Sequence, residues 1–274
     1  MIQNPILSIA GFDNSGGAGI QADLKVFSSF GCYGMTVLTA LAVQNTMGVK
    51  SCHMIPCSVI KEQLESIFED IPPQAIKIGM LFNEDIINTV YEFLVNNALD
   101  IPIILDPVML AKSGDPLLLP EARQSLIKKI VPLATIITPN IPEALELIGI
   151  PTPSPSQEKI AHEILKLGCK SVLIKGGHYH HEDATDLFLQ DDKIELFSTK
   201  RIHTKNTHGT GCTLSAAITA SIAQGYSLSD SVKYAKKYLT NAILSASQQS
   251  IGHGAGPTDH LWFLDEACSG KLYD

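Results

Sequence analysis

Residues 6–23 read I-L-S-I-A-G-F-D-N-S-G-G-A-G-I-Q-A-D, and the fold can be read outward from this stretch. Its first part, Ile6–Ala10, is a short apolar run that predicts a buried strand. The glycine-rich part that follows predicts a tight turn into a helix, because glycine adopts backbone conformations that other residues avoid. We therefore expect the chain to begin with a strand–turn–helix unit.

The turn contains Gly17-x-Gly19-x-x-Ala22, which formally matches the fingerprint of dinucleotide-binding folds. That fingerprint also requires an acidic residue ~20 positions further on. No Asp or Glu occurs between Asp23 and Glu62, so a nicotinamide site fails on this second criterion. Two interpretations remain for the glycines: close approach of the backbone to another ligand, or a tight turn without any ligand.

Short apolar runs and helical patterns alternate along the rest of the chain. This alternation predicts βαβ units and a mainly parallel sheet that is covered by helices on both faces. The predicted strands are Ile6–Ala10, Ala75–Gly79, Pro102–Leu105, Thr135–Thr138 and Ser171–Lys175, followed by a hairpin of Ala184–Leu189 and Lys193–Phe197. Helical spacing of apolar residues is found at Ile60, Leu64, Ile67 and Phe68, at Ile86, Val90, Phe93 and Leu94, and at Ile160, Ile164 and Leu167.

The composition is that of a globular chain with an acidic balance. Of 274 residues, 28 are acidic and 20 basic, which gives a formal net charge of −8, and 45% are hydrophobic. This composition excludes intrinsic disorder, and the negative charge argues against nucleic-acid binding because it repels polyphosphate backbones. We expect a single domain over residues 1–274, with the proline-rich stretch 150–156 as a loop within it.

Neither a targeting segment nor a membrane span is predicted. No apolar run approaches the ~18 residues that a span requires. The six cysteines form no C-x-x-C pair, which argues against a zinc site and a disulfide framework and favours a cytoplasmic protein. His178, His180 and His181 adjoin the predicted hairpin, and we interpret them as part of a solvated loop rather than as metal ligands.

Polar and glycine-rich residues gather directly after the predicted strands. The carboxyl ends of parallel strands meet at one edge of a sheet, and open α/β sheets bind their ligands there. We therefore expect a ligand site at this edge. The residues concerned are Gly11-Phe12-Asp13, Met80, Asp106-Pro107-Val108-Met109, Pro139-Asn140 and Gly176-Gly177-His178.

A second glycine-rich loop reads T-H-G-T-G-C-T-L-S-A-A at 207–217 and leads into a helix of small residues. Free N–H groups and the positive end of a helix form an anion site, while the absence of G-x-x-x-x-G-K-[ST] excludes a P-loop nucleoside triphosphatase. Cys212 falls in the first helical turn, where the helix dipole favours a thiolate. It is a candidate nucleophile or base, with a small packed side chain as the alternative.

Asn140 and Glu143 lie on one face at the start of a predicted helix, with Asp106 at a neighbouring strand end. The two carboxylates are suited to hold Mg²⁺ through waters. A helix N-cap with an acidic residue in the first turn explains Asn140 and Glu143 without a metal. Lys175 ends an apolar strand, where an unpaired ammonium is costly to bury, so a phosphate is an attractive partner.

Seven segments, taken together, resemble the ribokinase superfamily and, within it, the hydroxymethylpyrimidine/phosphomethylpyrimidine kinases of thiamine biosynthesis. The resemblance covers about residues 6–250. The matching segments are S-G-G-A-G-I-Q-A-D-L-K at 15–25, T-A-L-A-V-Q-N-T at 39–46, I-K-I-G-M-L at 76–81, L-D-P-V-M at 105–109, T-P-N-I-P-E-A at 138–144, V-L-I-K-G-G-H at 172–178 and N-T-H-G-T-G-C-T-L-S-A-A at 206–217.

The resemblance implies a ribokinase-like three-layer α/β/α fold and an ATP-dependent kinase that works with Mg²⁺ and forms a homodimer. The implied substrates are 4-amino-5-hydroxymethyl-2-methylpyrimidine and then its monophosphate. The implied roles are pyrimidine binding by Gly11, Asp23, Gln44, Met80 and Val108, nucleotide binding by Asn140, Lys175 and Thr210, metal binding by Asp106 and Glu143, and catalysis by Cys212 with the anion hole at Gly209 and Gly211.

The implied chemistry agrees with the residue types. A glutamine side chain has a donor and an acceptor, which suits the edge of an aminopyrimidine. Cys212 is expected to accept the hydroxymethyl proton in the first phosphorylation. The second acceptor is a phosphate that is already ionised near neutral pH, so this step needs no base.

Two departures from the family pattern affect the substrate. Phe12 stands where the family commonly has Ser, so the rim of the pyrimidine pocket differs. After D-P-V-M the chain reads Leu110-Ala111-Lys112 and lacks the cysteine that pyridoxal kinases on this branch can carry, which disfavours a pyridoxine/pyridoxal kinase without removing it. A non-catalytic binding protein of the same fold is disfavoured by the anion loop and by Lys175.

Overall fold

A computed structural model gives the structure of residues 4–111, 114–150, 156–178 and 182–264, and its strands join in one sheet. Over these residues the sheet has nine strands in the order β3-β2-β1-β4-β5-β6-β7-β8-β9. The strands are β1 Pro5–Asp13, β2 Tyr33–Asn45, β3 Gly48–Met54, β4 Ala75–Ile78, β5 Ile103–Leu105, β6 Ile136–Ile137, β7 Ser171–Ile174, β8 Asp183–Gln190 and β9 Lys193–Lys200. Strands β2, β1, β4, β5, β6 and β7 are parallel, while β3, β8 and β9 are antiparallel to their neighbours.

Helices cover both faces of this sheet. They are α1 Gly19–Ser29, α2 Cys57–Asp70, α3 Glu84–Asn97, α4 Arg123–Ser125, α5 Ile141–Ile148, α6 Gln157–Leu165, α7 Thr210–Ala223 and α8 Leu228–Ala246. One apolar core joins α2, α3, α5 and α6 to one face, and a second joins α1, α7 and α8 to the other. Within the described ranges, no helix is long and apolar enough to cross a membrane.

The mainly parallel three-layer architecture confirms the predicted fold class. Residues 6–10 and 75–78 are fully buried, because central parallel strands are covered on both faces and need no alternation of polar and apolar residues. The predicted strands are present with ends shifted by a few residues, and Leu167 lies beyond the end of α6. The proline-rich residues 151–155 and the loop with His180 and His181 lie outside the described residues.

The sequence reading missed strands β2 and β3. The sequence of β2, Y-G-M-T-V-L-T-A-L-A-V-Q-N, mixes apolar residues with glycine, threonine and alanine, and its buried positions alternate over only part of its length, so neither a continuous apolar run nor a strict period of two marks it as a strand. Strand β3 is largely exposed and forms the edge of the sheet beside β2, so it carries little apolar signal. Strands β2 and β3 thus form an antiparallel pair at one edge of the sheet.

Candidate active site

A cavity of about 720 Å³ opens at the carboxyl ends of the parallel strands. The anion loop, residues 207–212, forms one side of it, and the residues that follow β1, β4, β5, β6 and β7 form the rest. The structure brings all of the sequence-predicted site residues except Asp23 to its wall: Gly11, Gln44, Met80, Asp106, Val108, Asn140, Glu143, Lys175, Gly209, Thr210, Gly211 and Cys212.

The anion loop is held close to other backbone by its glycines. Gly209 has φ +81°, and a Cβ there would overlap the carbonyl oxygen of Gly17. At Gly211 a Cβ would lie 3.3 Å from both Asp106 Oδ2 and Lys175 Nζ. Helix α7 begins directly after Gly209, and no side chain caps its first N–H groups. These donors point to an anion site next to a charged cluster.

That cluster is built around Lys175. Its Nζ lies 2.9 Å from Asp106 Oδ1 and 3.7 Å from Glu143 Oε2. Burial alone would lower the pKa of Lys175, but Asp106 and Glu143 outweigh it and hold the pKa above its ordinary value. The ammonium therefore stays charged and faces the same space as the uncapped start of α7.

Asn140 and Glu143 form a reciprocal capping box at the start of α5. Asn140 Oδ1 accepts from the Glu143 N–H at 2.9 Å, and Glu143 Oε2 accepts from the Asn140 N–H at 2.8 Å. The cap interpretation is therefore correct, yet Glu143 also contacts Lys175. Burial, opposed by Lys175 and reinforced by Asp106, raises the pKa of Glu143 to about 7. One residue thus both caps the helix and contributes to the charged cluster.

The structure corrects the expectation that the helix dipole makes Cys212 a ready thiolate. The thiol is partly accessible through the cavity, but the protein encloses its other sides. This burial, opposed by the charge of Lys77, raises the pKa of Cys212 to about 11. Without a ligand the residue is a thiol at neutral pH, because desolvation outweighs the dipole.

The end of the cavity beside β1, β4 and β5 carries apolar residues. Phe12, Met80 and Val108 line it there. Gly11 lies close to Met80, since a Cβ at Gly11 would be 2.7 Å from Met80 Sδ and the methionine side chain would have to shift. The side-chain amide of Gln44 makes no hydrogen bond within the described ranges, although its backbone N–H donates to Asn14 Oδ1. Its donor and acceptor are therefore free to bind a polar ring edge.

Asp23 lies behind the cavity wall. It is fully buried, and its Oδ2 accepts from Lys77 Nζ at 2.8 Å and from Ser8 Oγ at 2.5 Å. Lys77 does line the cavity, and Asp23, Cys212 and Asp106 outweigh burial to raise the pKa of Lys77. Asp23 is thus placed to act through Lys77 rather than by direct contact with a ligand in the cavity.

Sequence reasoning missed three groups of cavity residues. Lys77 carried a signal, because a charged residue inside the apolar strand A-I-K-I needs a buried partner. Lys236 Nζ lies 2.8 Å from Asp186 Oδ2, an ion pair between α8 and β8 that the sequence does not reveal. Asp13 and His208 form the third group: the sequence placed both residues in segments of the expected ligand site, but it did not predict their hydrogen bond at 2.7 Å.

Comparison with known proteins identifies the family. The phosphomethylpyrimidine kinase model matches residues 13–259. The chain is 46% identical over 257 residues to the hydroxymethylpyrimidine/phosphomethylpyrimidine kinase of Escherichia coli K12, covering 93% of this chain and 96% of that one.

Solved structures show the same similarity. The phosphomethylpyrimidine kinase of Clostridium difficile 630 has a TM-score of 0.78 at 46% identity, covering 88% of this chain and 100% of that one. An ADP complex of Bacillus subtilis pyridoxal kinase has a TM-score of 0.88 at 36% identity, covering 96% of this chain and 99% of that one. With the family model and the sequence relatives agreeing over nearly the whole length, the chain belongs to the phosphomethylpyrimidine kinase family.

Proposed function

We propose that the chain transfers the γ-phosphoryl group of ATP to the hydroxymethyl group of 4-amino-5-hydroxymethyl-2-methylpyrimidine and then phosphorylates the monophosphate. The observation that carries this proposal is the arrangement in one cavity of the uncapped start of α7, the Lys175 cluster and Cys212. Phosphoryl transfer needs positioning and charge stabilisation above all, and these groups supply both. In this proposal the chain forms a single catalytic domain.

The apolar end of the cavity supports pyrimidine binding. Met80, Val108 and Phe12 offer flat apolar contact, and the free amide of Gln44 offers hydrogen bonds to a ring nitrogen and an exocyclic amino group. With the ring there, its hydroxymethyl group would point towards Cys212 and the anion loop. Cys212 would accept the hydroxyl proton in the first step, whereas the second needs no base.

The polar end supports nucleotide and metal binding. Lys175, Asn140 and the N–H groups at Thr210 and Gly211 are placed to hold phosphate oxygens. Asp106 and Glu143, which both contact Lys175, are a donor set that fits Mg²⁺, since this ion commonly uses one or two carboxylates together with phosphates and waters. When bound, Mg²⁺ neutralises charge on the transferring phosphoryl group.

A coupled assay of ATP consumption tests the proposal directly. Turnover is expected with the pyrimidine alcohol and with its monophosphate, in a Mg²⁺-dependent manner, and at a much lower kcat/KM with pyridoxal. The structural similarity to Bacillus subtilis pyridoxal kinase supports pyridoxal as the second candidate substrate. Higher kcat/KM with pyridoxal than with the pyrimidine would favour that candidate, and no turnover with any of the three would favour a binding protein.

Replacing Gln44 with Leu tests the pyrimidine pocket. The variant keeps the size of the side chain but removes both hydrogen-bonding groups. We expect kcat/KM for the pyrimidine to fall by about 10–100-fold, since two neutral hydrogen bonds are lost and each contributes about 0.5–1.5 kcal/mol. The KM for ATP should stay within twofold. Gln74→Leu, at an exposed position just before β4, is the matched control, and an unchanged kcat/KM in Gln44→Leu would remove Gln44 from the pyrimidine site.

We also propose that the protein is a homodimer formed through the β2–β3 edge. This pair exposes Leu41, Val43, Met47 and Met54, which is apolar surface of the kind that interfaces bury. Sedimentation should give twice the 29.6 kDa of one chain. A Val43→Lys variant should shift the protein to monomers, and a monomeric parent protein would contradict this proposal.

A further inference from the structure

We propose that Asp13 and His208 act as positioning residues that lock the anion loop against the glycine turn at residues 15–18. Asp13 and His208 are 195 positions apart, and their interaction joins two loops. His208 lies just before the start of α7, and Cys212 lies in the first turn of this helix. The inference rests on the proposed kinase function for its kinetic readout, but its structural readout needs no activity.

Asp13 is the centre of this arrangement. Its Oδ1 accepts from the Ser15 N–H at 2.8 Å and from Ser15 Oγ at 2.7 Å. Its Oδ2 accepts from the N–H groups of Gly17 at 3.1 Å and Ala18 at 2.8 Å, and from His208 Nε2 at 2.7 Å. These five donors occupy the hydrogen-bonding capacity of both carboxylate oxygens. The Asp13 side chain therefore holds the backbone of residues 15–18 and the His208 ring in position.

The carboxyl group of Asp13 is ionised at neutral pH. Burial alone would raise the pKa of Asp13, but the hydrogen bonds from His208 and Ser15 outweigh it and hold the pKa well below its usual range. An ionised carboxylate only accepts hydrogen bonds, so His208 Nε2 must carry the proton in this contact. The hydrogen bond is therefore charge-assisted, and such bonds are roughly twice as strong as neutral ones.

His208 connects the turn to two further parts of the chain. Its ring packs so closely on Gly17 that a Cβ at Gly17 would overlap the imidazole. Its backbone N–H donates to the Gly256 carbonyl at 3.0 Å, and its carbonyl accepts from the Thr258 N–H at 3.3 Å. The residue after His208 is Gly209, which lies against the Gly17 carbonyl. A shift of His208 would therefore move the anion loop directly.

The Asp13–His208 pair affects catalysis through the position of the anion loop. The N–H groups of residues 209–212 must face the transferring phosphoryl group, and a displacement of about 1 Å costs roughly 100-fold in rate. The backbone of this loop is glycine-rich and therefore has more conformational freedom than other backbone. Hydrogen bonds to Gly256 and Thr258 constrain His208 from one side, and the Asp13–His208 pair constrains it from the side of the glycine turn.

Three variants test the proposal. His208→Gln keeps an Nε2–H donor at the same number of bonds from the backbone, whereas His208→Ala removes it, and exposed His253→Ala is the matched control. We expect His208→Ala to lower kcat by about 10–100-fold for both phosphorylations, with a change in the KM for the pyrimidine alcohol of under threefold. His208→Gln and His253→Ala should stay within threefold of the parent kcat.

Hydrogen–deuterium exchange of the amides at 209–213 provides the second readout. Exchange should be faster in His208→Ala and near the parent rate in His208→Gln, whether or not the enzyme acts on the proposed substrates. Faster exchange in His208→Ala, together with no kinase activity in the parent protein or in any variant, would contradict the proposed function but support the positioning role. Parent-like exchange in His208→Ala, or a His208→Gln variant as inactive as His208→Ala, would overturn the positioning role.

Discussion

The Cys212→Ala variant is expected to slow phosphorylation of the pyrimidine alcohol by about 10²–10⁴-fold, the range that general-base catalysis contributes. Phosphorylation of the monophosphate should fall by less than tenfold, because its acceptor oxygen is already ionised near neutral pH. Single-turnover measurements with each substrate give the two rates separately. Cys52→Ala, on the exposed strand β3, is the matched control and should change neither rate.

The pH dependence sharpens this expectation. Since the pKa of Cys212 is raised to about 11, its thiolate fraction rises about tenfold per pH unit through the neutral and mildly alkaline range. The first phosphorylation should therefore accelerate with pH in the parent protein and lose this acceleration in Cys212→Ala. An equal fall of both rates would instead make Cys212 a component of the anion hole.

The Asp23→Ala variant is expected to lose about 3–5 kcal/mol in its free energy of unfolding, because the buried Lys77 ammonium would lose the carboxylate with which it is in direct contact. Both side chains of the pair are 0% exposed. For a chain of this size the loss corresponds to a decrease in Tm of about 6–20 °C. Denaturant unfolding followed by circular dichroism measures the first quantity, and calorimetry the second.

An exposed ion pair offers the matched control for Asp23→Ala. Glu163 contacts Lys166 at 2.6 Å at the end of α6, and both side chains are largely exposed. Glu163→Ala should change the free energy of unfolding by under about 1 kcal/mol. Adding Lys77→Met to Asp23→Ala should restore part of the loss, since it removes the uncompensated charge. A loss in Asp23→Ala as small as in Glu163→Ala would mean that the pair contributes little to stability.

Local patterns in the sequence identified much of the fold and the edge of the sheet at which the cavity lies. The runs at 6–10 and 171–174 are apolar because central strands are buried on both faces, and the residues after them fall at one edge by topology alone. Strand β3 could not be found this way, because an exposed edge strand has no apolar pattern to read.

The contacts inside the site were less accessible to sequence reasoning. Asp23 and Lys77 are 54 positions apart, and only tertiary packing brings them together and withdraws Asp23 from the cavity. The pKa of Cys212 depends on burial, which raises it, and on the charge of Lys77, which lowers it, and both arise from tertiary packing that the position of Cys212 at a helix start does not show. The capping box of Asn140 and Glu143 was readable because its spacing is local.

The distance along the chain between Asp13 and His208 has a consequence for biosynthesis. A ribosome that has released the first half of the polypeptide has exposed the turn at 15–18, Gln44 and the Lys77 strand, but not the anion loop. Contacts over such long sequence separations form late, since loop closure must precede them. The cavity is therefore incomplete until residues 207–212 and the contacts of His208 with Gly256 and Thr258 are in place, so a partly synthesised chain lacks the anion loop that phosphoryl transfer requires.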